Sequence, residues 1–236
     1  YPDVIHTTNI HEILKDPSID AIVIATPINS HFSIAKKALE SKKHVFVEKP
    51  LTKTVAEAQK LIKIAKKNQR CLFVGHVFLY NEIFKKIKVI HKTESIKYIN
   101  FEWKKLGTFD EDIFENLLSH DLSLNLELFG MPKKIKLISK YGLLTTVDRF
   151  SLELYFNKNR KSEISIDRTA HYKKKTVMIM TQTNSYIWDD DELFKFHKKT
   201  ESYKKIFQSK NTPLYLECKE FIRNISAKNY SIDSAI

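Results

Sequence analysis

Three short polar segments each follow a stretch of apolar, β-branched residues. They are Thr26-Pro27-Ile28-Asn29-Ser30-His31, Glu48-Lys49-Pro50 and Gly75-His76. If the apolar stretches are buried parallel strands, their carboxyl ends meet at one edge of a sheet, which is where open α/β sheets bind ligands. The segments would then line one polar crevice. Within it, Lys49 is the residue of these three segments that carries an ammonium group.

A second candidate group is the imidazole of His120, in Leu118-Ser119-His120-Asp121. It falls in a segment with helical periodicity and can exchange a proton near neutral pH, as a general base must. One helical turn earlier stands Asn116, whose amide can bond to an imidazole but cannot stabilise its charged form. Asp121 is adjacent in sequence and is expected to point away from His120. A helix-surface or capping role is the alternative interpretation for His120.

The elements that would position these groups follow from apolar patterning. In the first part of the chain, strands are predicted at 20–27, 44–47 and 71–74, and helices at 10–14, 31–41 and 54–68. This alternation predicts an α/β fold over 1–76, the C-terminal part of a Rossmann-like dinucleotide-binding domain with a parallel sheet.

From residue 77 the pattern changes and predicts an α+β domain over 77–236 with an open antiparallel sheet. Helices are predicted at 80–92, 112–129 and 213–225. Strands are predicted at 95–106, 135–139, 150–156, 162–167, 176–181 and 185–189.

Composition narrows the classes of partner. The 236 residues carry a net charge of +12, but the lysines are scattered in short runs such as Lys173-Lys174-Lys175, which are expected to be solvated. A concentrated basic stripe with interleaved aromatic residues is missing from the sequence, so no nucleic-acid partner is expected. The apolar runs are too short to span a bilayer and no secretory signal opens the sequence, so we expect a cytoplasmic location without a membrane partner. No metal-ligand spacing occurs, so no metal is expected.

The motif Ala25-Thr26-Pro27-x-x-x-His31 followed by Glu48-Lys49-Pro50 resembles a motif pair of the Gfo/Idh/MocA oxidoreductases. The stretch Pro213-Leu-x-x-Glu217-Cys-x-Glu-Phe221 resembles that family's late helix. The resemblance implies an NAD- or NADP-dependent dehydrogenase of a sugar CH–OH group, in which Lys49 contacts the substrate and His120 takes the hydroxyl proton. Relatives cover the open sheet by forming oligomers, so a homo-oligomer through this sheet is expected. The family resemblance also implies that residues at the strand ends contact the cofactor. These are Thr26, Pro27, Asn29, His31, Glu48, Lys49 and His76.

Within this family, the chain is similar to one sub-branch, the nucleotide-sugar 3-dehydrogenases, which act on UDP-N-acetylated hexosamines or their uronic acids. The segments that carry this similarity are Gly75-His76-Val-Phe-Leu-Tyr80-Asn81, Lys105-Leu106-Gly107 and His120-Asp121. An excess of lysine would suit a diphosphate substrate. Asn116 in place of the usual Asp disfavours a dehydrogenase of a simple sugar or inositol. A non-catalytic sensor that binds the cofactor is a further alternative, disfavoured by the presence of both candidate catalytic residues. The implied sugar-binding residues are Lys49, Tyr80, Lys105, Asn116 and His120.

The glycine-rich loop Gly-x-Gly-x-x-Gly, which holds the cofactor pyrophosphate in dinucleotide-binding domains, does not occur in the sequence. The chain opens in mid-pattern with Tyr1 rather than Met and ends at Ile236 without a stop pattern. We therefore expect a fragment truncated at both ends, which starts after that loop, binds the cofactor poorly and is inactive by itself. A protein that never binds a dinucleotide is the alternative.

Overall fold

The computed structural model of the chain describes residues 4–228 and 230, which fold into two compact units. The first unit comprises the chain up to His76 together with the chain from Glu217, and the second runs Val77–Leu216. The prediction that 77–236 forms a single domain was therefore wrong at its C-terminal end. The reason is packing, because the ring of Phe221 lies 5.6 Å from the rings of both Phe46 and Phe73 on the first sheet.

Within the described part of the first unit, three parallel strands form a sheet in the order β1-β2-β3. The strands are β1 (Ala21–Ile24), β2 (His44–Glu48) and β3 (Leu72–Gly75). The helices are α1 (Ile10–Lys15), α2 (Ile28–Glu40) and α3 (Val55–Asn68). The strand–helix alternation predicted from the sequence is thus confirmed.

Helix boundaries in this unit follow local chemistry. Helix α3 starts after Thr54, whose side chain accepts a hydrogen bond from the backbone N–H of Glu57 at 3.2 Å and so satisfies a free donor of the first turn. Its apolar face buries Leu61 and Ala65. Helix α2 begins directly after Pro27, earlier than predicted, because a proline can precede a helix without loss of a hydrogen bond.

In the described part of the second unit, eight strands form one sheet in the order β11-β10-β9-β8-β4-β7-β6-β5. Its pairs are antiparallel except that β4 and β7 run parallel. The strands are β4 (Tyr98–Leu106), β5 (Lys134–Tyr141), β6 (Arg149–Phe156), β7 (Arg160–Asp167), β8 (Thr169–Met180), β9 (Ser185–Asp189), β10 (Glu192–His197) and β11 (Ser202–Gln208). The helical elements are a 3₁₀ turn (Val77–Tyr80), α4 (Glu82–Glu94), a π-helical turn (Phe114–Leu118), α5 (Ser119–Phe129) and α6 (Pro213–Ser226), which crosses into the first unit.

Strands β10 and β11 were not predicted. Strand β11 contains Lys204 and Lys205, and β10 contains Glu192 and Lys195; these residue types disfavour strands when judged by residue preference alone. They form because each pairs with a neighbour, and the ion pair between Lys205 and Glu192, with Nζ and Oε1 2.7 Å apart, crosses that pairing. The sheet buries one face against α4 and α5, with Phe101, Val177 and Ile179 in the core. Within the described residues, no helix is both long and apolar enough to cross a membrane.

Candidate active site

The polar segments predicted to follow strands do so in the structure. Because β1, β2 and β3 are adjacent and parallel, their carboxyl ends lie along one edge of the sheet, with Glu48 of β2 in register with Gly75 of β3. The first-unit residues predicted to bind the cofactor all follow or end these strands. Thr26, Pro27 and Asn29 are exposed, whereas Glu48, Lys49 and His76 are half-buried.

His31 connects the ends of β1 and β2. Its side chain is only 2% exposed, with Nδ1 2.8 Å from the carbonyl oxygen of Pro50 and Nε2 2.7 Å from that of Thr26. Both partners are carbonyl oxygens of the backbone, one from the end of β1 and one from the turn after β2. These contacts hold the Glu48-Lys49-Pro50 turn against the end of the first strand. A contact of the same ring with the cofactor stays a prediction.

Replacing His31 by Gln is expected to lower the free energy of unfolding by about 1–3 kcal/mol, because the partly buried hydrogen bonds to the carbonyl oxygens of Pro50 and Thr26 are lost. Urea unfolding of the variant and the unchanged protein measures the difference. The exposed His11 of the same unit supplies the control, His11→Gln, which should change the free energy by less than about 0.5 kcal/mol. Equal, small effects of the two substitutions would contradict the connecting role.

The end of β3 makes room for Glu48 and presents a neutral imidazole. A Cβ atom at Gly75 would lie 3.1 Å from Oε2 of Glu48, so the absence of a side chain there leaves space for that carboxyl. Burial, and then the charge of Lys49, lower the pKa of His76 to about 4, which keeps it uncharged at neutral pH. Its buried Nδ1 has no hydrogen-bond partner among the described residues. A bound ligand could satisfy such an atom.

In the second unit, His120 stands in the first turn of α5, directly after the π-helical turn. The sequence predicted one continuous helix over 112–129. The observed segment starts with Asp112, whose carboxylate accepts hydrogen bonds from the backbone N–H groups of Phe114 at 2.8 Å and Glu115 at 3.1 Å. The π-helical turn contains Asn116, and such turns are frequent at functional sites because they redirect side chains.

Aromatic rings enclose His120. Its ring centroid lies 5.1 Å from that of Phe78, in an edge-to-face arrangement, and 5.7 Å from that of Trp103. Phe78 belongs to the 3₁₀ turn that Tyr80 ends, and Trp103 lies on β4, close in sequence to Lys105. Sequence reasoning missed both rings, since their spacing is also that of ordinary core residues.

A buried ion pair lies under the same rings. Nζ of Lys175 is 2.8 Å from Oδ1 of Asp121, 3.8 Å from the ring centroid of Phe78 and 4.0 Å from that of Trp103. Burial raises the pKa of Asp121 and lowers that of Lys175, and in each case the charge of the partner opposes the shift. The prediction that the Lys173-Lys174-Lys175 run is solvated was wrong for Lys175. Strand β8 alternates its side chains between faces, and this one turns toward the core.

A cavity of about 410 Å³ opens beside these rings in the second unit. Its walls combine apolar rings with ammonium groups, so it suits a ligand that has a flat apolar face and negative charge. None of the five predicted sugar-binding residues is part of its lining; they are Lys49, Tyr80, Lys105, Asn116 and His120. The lining residues are Phe78, Trp103, Lys173, Lys174, Lys175, Val177, Trp188 and Asp190.

The loop that leads into the π-helical turn is held by Arg168, which is 3% exposed. Its Nη1 donates to the carbonyl oxygens of Thr108 at 2.8 Å and Glu111 at 2.7 Å, and its Nε donates to Oδ1 of Asp148 at 3.0 Å. This buried guanidinium fixes the entry to the segment that carries Asn116. Among the described residues, no group of three or more His, Cys, Asp or Glu side chains could hold a metal ion.

Comparison with known proteins places these features in a family context. Residues 1–76 match the family model GFO_IDH_MocA, described as an oxidoreductase family with an NAD-binding Rossmann fold. This match confirms the resemblance predicted from the sequence, and its description agrees with the predicted NAD or NADP cofactor.

Curated relatives include scyllo-inositol 2-dehydrogenase (NADP(+)) IolW of Bacillus subtilis, 29% identical over 175 residues, which are 67% of this chain and 49% of that protein. UDP-N-acetylglucosamine 3-dehydrogenase of Acidithiobacillus ferrooxidans is 26% identical over 179 residues, 70% of this chain and 53% of that protein. The solved structure of the latter enzyme, GnnA, superposes with a TM-score of 0.85 at 22% identity, covering 94% of this chain and 74% of that one, and shows the same fold. The chain thus spans about half the length of these curated relatives.

Proposed function

Starting from the match of residues 1–76 to the Gfo/Idh/MocA oxidoreductases, we propose that the protein transfers hydride between a sugar hydroxyl carbon and NAD or NADP. The observation that carries the proposal is the set of polar segments at the carboxyl ends of β1, β2 and β3, with Lys49 among them. This edge is where parallel sheets bind nucleotides.

The residues at this edge fit the nicotinamide and ribose end of the cofactor. Thr26 and Asn29 offer exposed polar groups, Glu48 a half-buried carboxylate that can accept from ribose hydroxyls, and His76 a buried nitrogen without a described partner. When bound, the nicotinamide supplies the acceptor or donor of hydride.

Lys49 and His120 are proposed to divide the work on the substrate. The ammonium of Lys49 donates to the reacting oxygen and stabilises the negative charge that grows on it as the hydroxyl becomes a carbonyl. The imidazole of His120 takes the hydroxyl proton. The amide of Asn116 is proposed to orient the substrate by a hydrogen bond, because it cannot supply the charge that an Asp would.

The proposed substrate is a nucleotide sugar. Support comes from the cavity lined by the rings of Phe78, Trp103 and Trp188, which offer apolar surface for a sugar or base, and by lysines whose ammonium groups can bind phosphate. Two of these rings, Phe78 and Trp103, also contact His120. Tyr80 and Lys105 are proposed as further sugar contacts.

The test is an assay of the full-length protein with NAD⁺ or NADP⁺ and a panel of sugars, following the absorbance of the reduced nicotinamide. The panel contains UDP-N-acetylglucosamine, its uronic acid, glucose and inositol. We expect kcat/KM for a UDP sugar to exceed that for glucose and inositol by about 10-fold or more. The smaller substrates lack the UDP group, so the polar side chains that would bind it are left without partners. Turnover of inositol or glucose alone would favour the simple-sugar alternative, and cofactor binding without any turnover would favour the sensor.

Replacing His120 by Asn is expected to lower kcat by on the order of 10²-fold with a smaller change in KM, because the proton acceptor is lost while shape is largely kept. Steady-state kinetics with the best substrate of the panel measures both constants. The control is His171→Asn, at an exposed position on β8. An unchanged kcat for the His120 variant would remove this residue from the mechanism.

The homo-oligomer expected from the sequence stays a prediction. Its support is the edge strand β5, on which large apolar side chains are exposed, since exposed apolar surface commonly marks contacts between proteins. They are Ile135, Leu137 and Tyr141.

A further inference from the structure

Helix α6 lies over the ends of β2 and β3 in the first unit. Phe221 contacts Phe46 of β2 and Phe73 of β3, with ring centroids 5.6 Å apart in each case. Glu217 precedes Phe221 by one helical turn on the same face, about 6 Å along the helix. Glu48 follows Phe46 by two residues on the same face of β2, about 6.6 Å along the strand. The two glutamates lie within electrostatic range of each other, because the charge of Glu48 is, after burial, the second cause that raises the pKa of Glu217.

The two carboxyl groups differ in surroundings. Glu217 is 0% exposed, and neither of its carboxyl oxygens has a hydrogen-bond partner among the described residues. Burial, and then the charge of Glu48, raise its pKa to about 8, because a low-dielectric site disfavours a second negative charge. Glu48 is half-buried, and its carboxyl occupies the space that a side chain at position Gly75 would need.

We propose that Glu217 is a positioning residue for the Glu48-Lys49-Pro50 turn: by keeping its own carboxyl protonated, it leaves a single negative charge at the end of β2. A second charge would repel the carboxylate of Glu48 from its place beside Gly75 and compete for the ammonium of Lys49. The consequence for Lys49 rests on the proposed function, but the protonation of Glu217 does not.

The other titratable groups around this pair do not neutralise a second charge. From β3, His76 is uncharged, since burial and the charge of Lys49 lower its pKa to about 4. From α6 itself, Cys218 stays a thiol, since burial and both glutamates raise its pKa. Lys49 of the same turn is a cation, but the pKa of Glu217 is set by burial and by the charge of Glu48.

The direct test compares the melting temperature of the cofactor-free protein with that of Glu217→Gln as a function of pH. The folded-state pKa of about 8 exceeds the ordinary value of 4.5, so the native state holds a proton that the unfolded state releases. The stability linked to this proton is fully present below pH 4.5 and is lost as the pH rises through about 8. We therefore expect the unchanged protein to lose melting temperature relative to Glu217→Gln over this window, and the variant to be the more stable at about pH 9.

A matched control is Glu220→Gln on the same helix, where the carboxylate forms an exposed pair with Arg223. The melting temperature of this control variant, plotted against pH, should run parallel to that of the unchanged protein. A Glu217→Gln curve that is also parallel, or lower by the same amount at every pH, would overturn the proposal, because a purely structural role predicts that result.

Turnover supplies the second readout. Above about pH 8 we expect kcat of the unchanged protein to fall, with little change in KM, and kcat of Glu217→Gln to fall several-fold less, because the amide cannot ionise. Parallel losses of kcat would overturn the positioning role. If no substrate is turned over, the proposed function fails while the melting curves still decide the state of Glu217.

Discussion

Lys49→Met is expected to lower kcat/KM for hydride transfer by about 10²–10³-fold and to change the free energy of unfolding by less than about 1 kcal/mol. Lys49 is half-buried at the end of β2. The turn that contains it is fixed by a hydrogen-bond contact between the ring of His31 and the carbonyl oxygen of Pro50. Its ammonium is proposed to act on the reacting oxygen, so its loss should reduce kcat more than it raises KM. Steady-state kinetics and urea unfolding of the same preparation measure both effects.

The chain offers a matched control in Lys53, which lies just after the same turn and is exposed. Lys53→Met removes the same charge from the same region, so it separates a specific contact from a general effect on the electrostatic potential. We expect it to retain kcat/KM within about 2-fold. Comparable losses in the two variants would contradict the assignment of Lys49.

Lys175→Met is expected to lower the free energy of unfolding by about 3–5 kcal/mol, because it leaves the carboxylate of Asp121 buried without its compensating charge. Asp121 is 0% exposed and lies 2.8 Å from the ammonium group of Lys175. The ammonium also stacks on Phe78 and Trp103, so its removal disturbs the rings that enclose His120. Urea unfolding measures the loss.

Two further variants make this prediction specific. Lys174→Met breaks an ion pair with Asp189 in which the side chain of Lys174 is 52% exposed and that of Asp189 is 37% exposed. Its loss should lower the free energy of unfolding by about 0.5 kcal/mol. The double variant Lys175→Met with Asp121→Asn removes both charges and should recover a large part of the loss. A double variant as unstable as Lys175→Met alone would show that lost packing, rather than the unpaired carboxylate, causes the effect.

Local patterns predicted most of the elements correctly and missed those that depend on pairing. The helices and strands of the first unit have strong apolar periodicity, and their order follows from it. Strand β11 contains two lysines and β10 a glutamate and a lysine, and both strands form because neighbouring strands complete their hydrogen bonds. The π-helical turn before His120 also escaped prediction, because such turns are rare and occur as single turns inside α-helical segments.

By itself, the sequence determined that Glu48-Lys49-Pro50 and the other polar segments share one edge. Parallel strands joined by helices all end on the same side of their sheet, so short-range patterns suffice. Only the tertiary structure decided that Glu217 faces Glu48 and that Lys175 pairs with Asp121. Those partners are far apart in the chain, and they meet through the register of β8 and the packing of α6, which no local periodicity encodes.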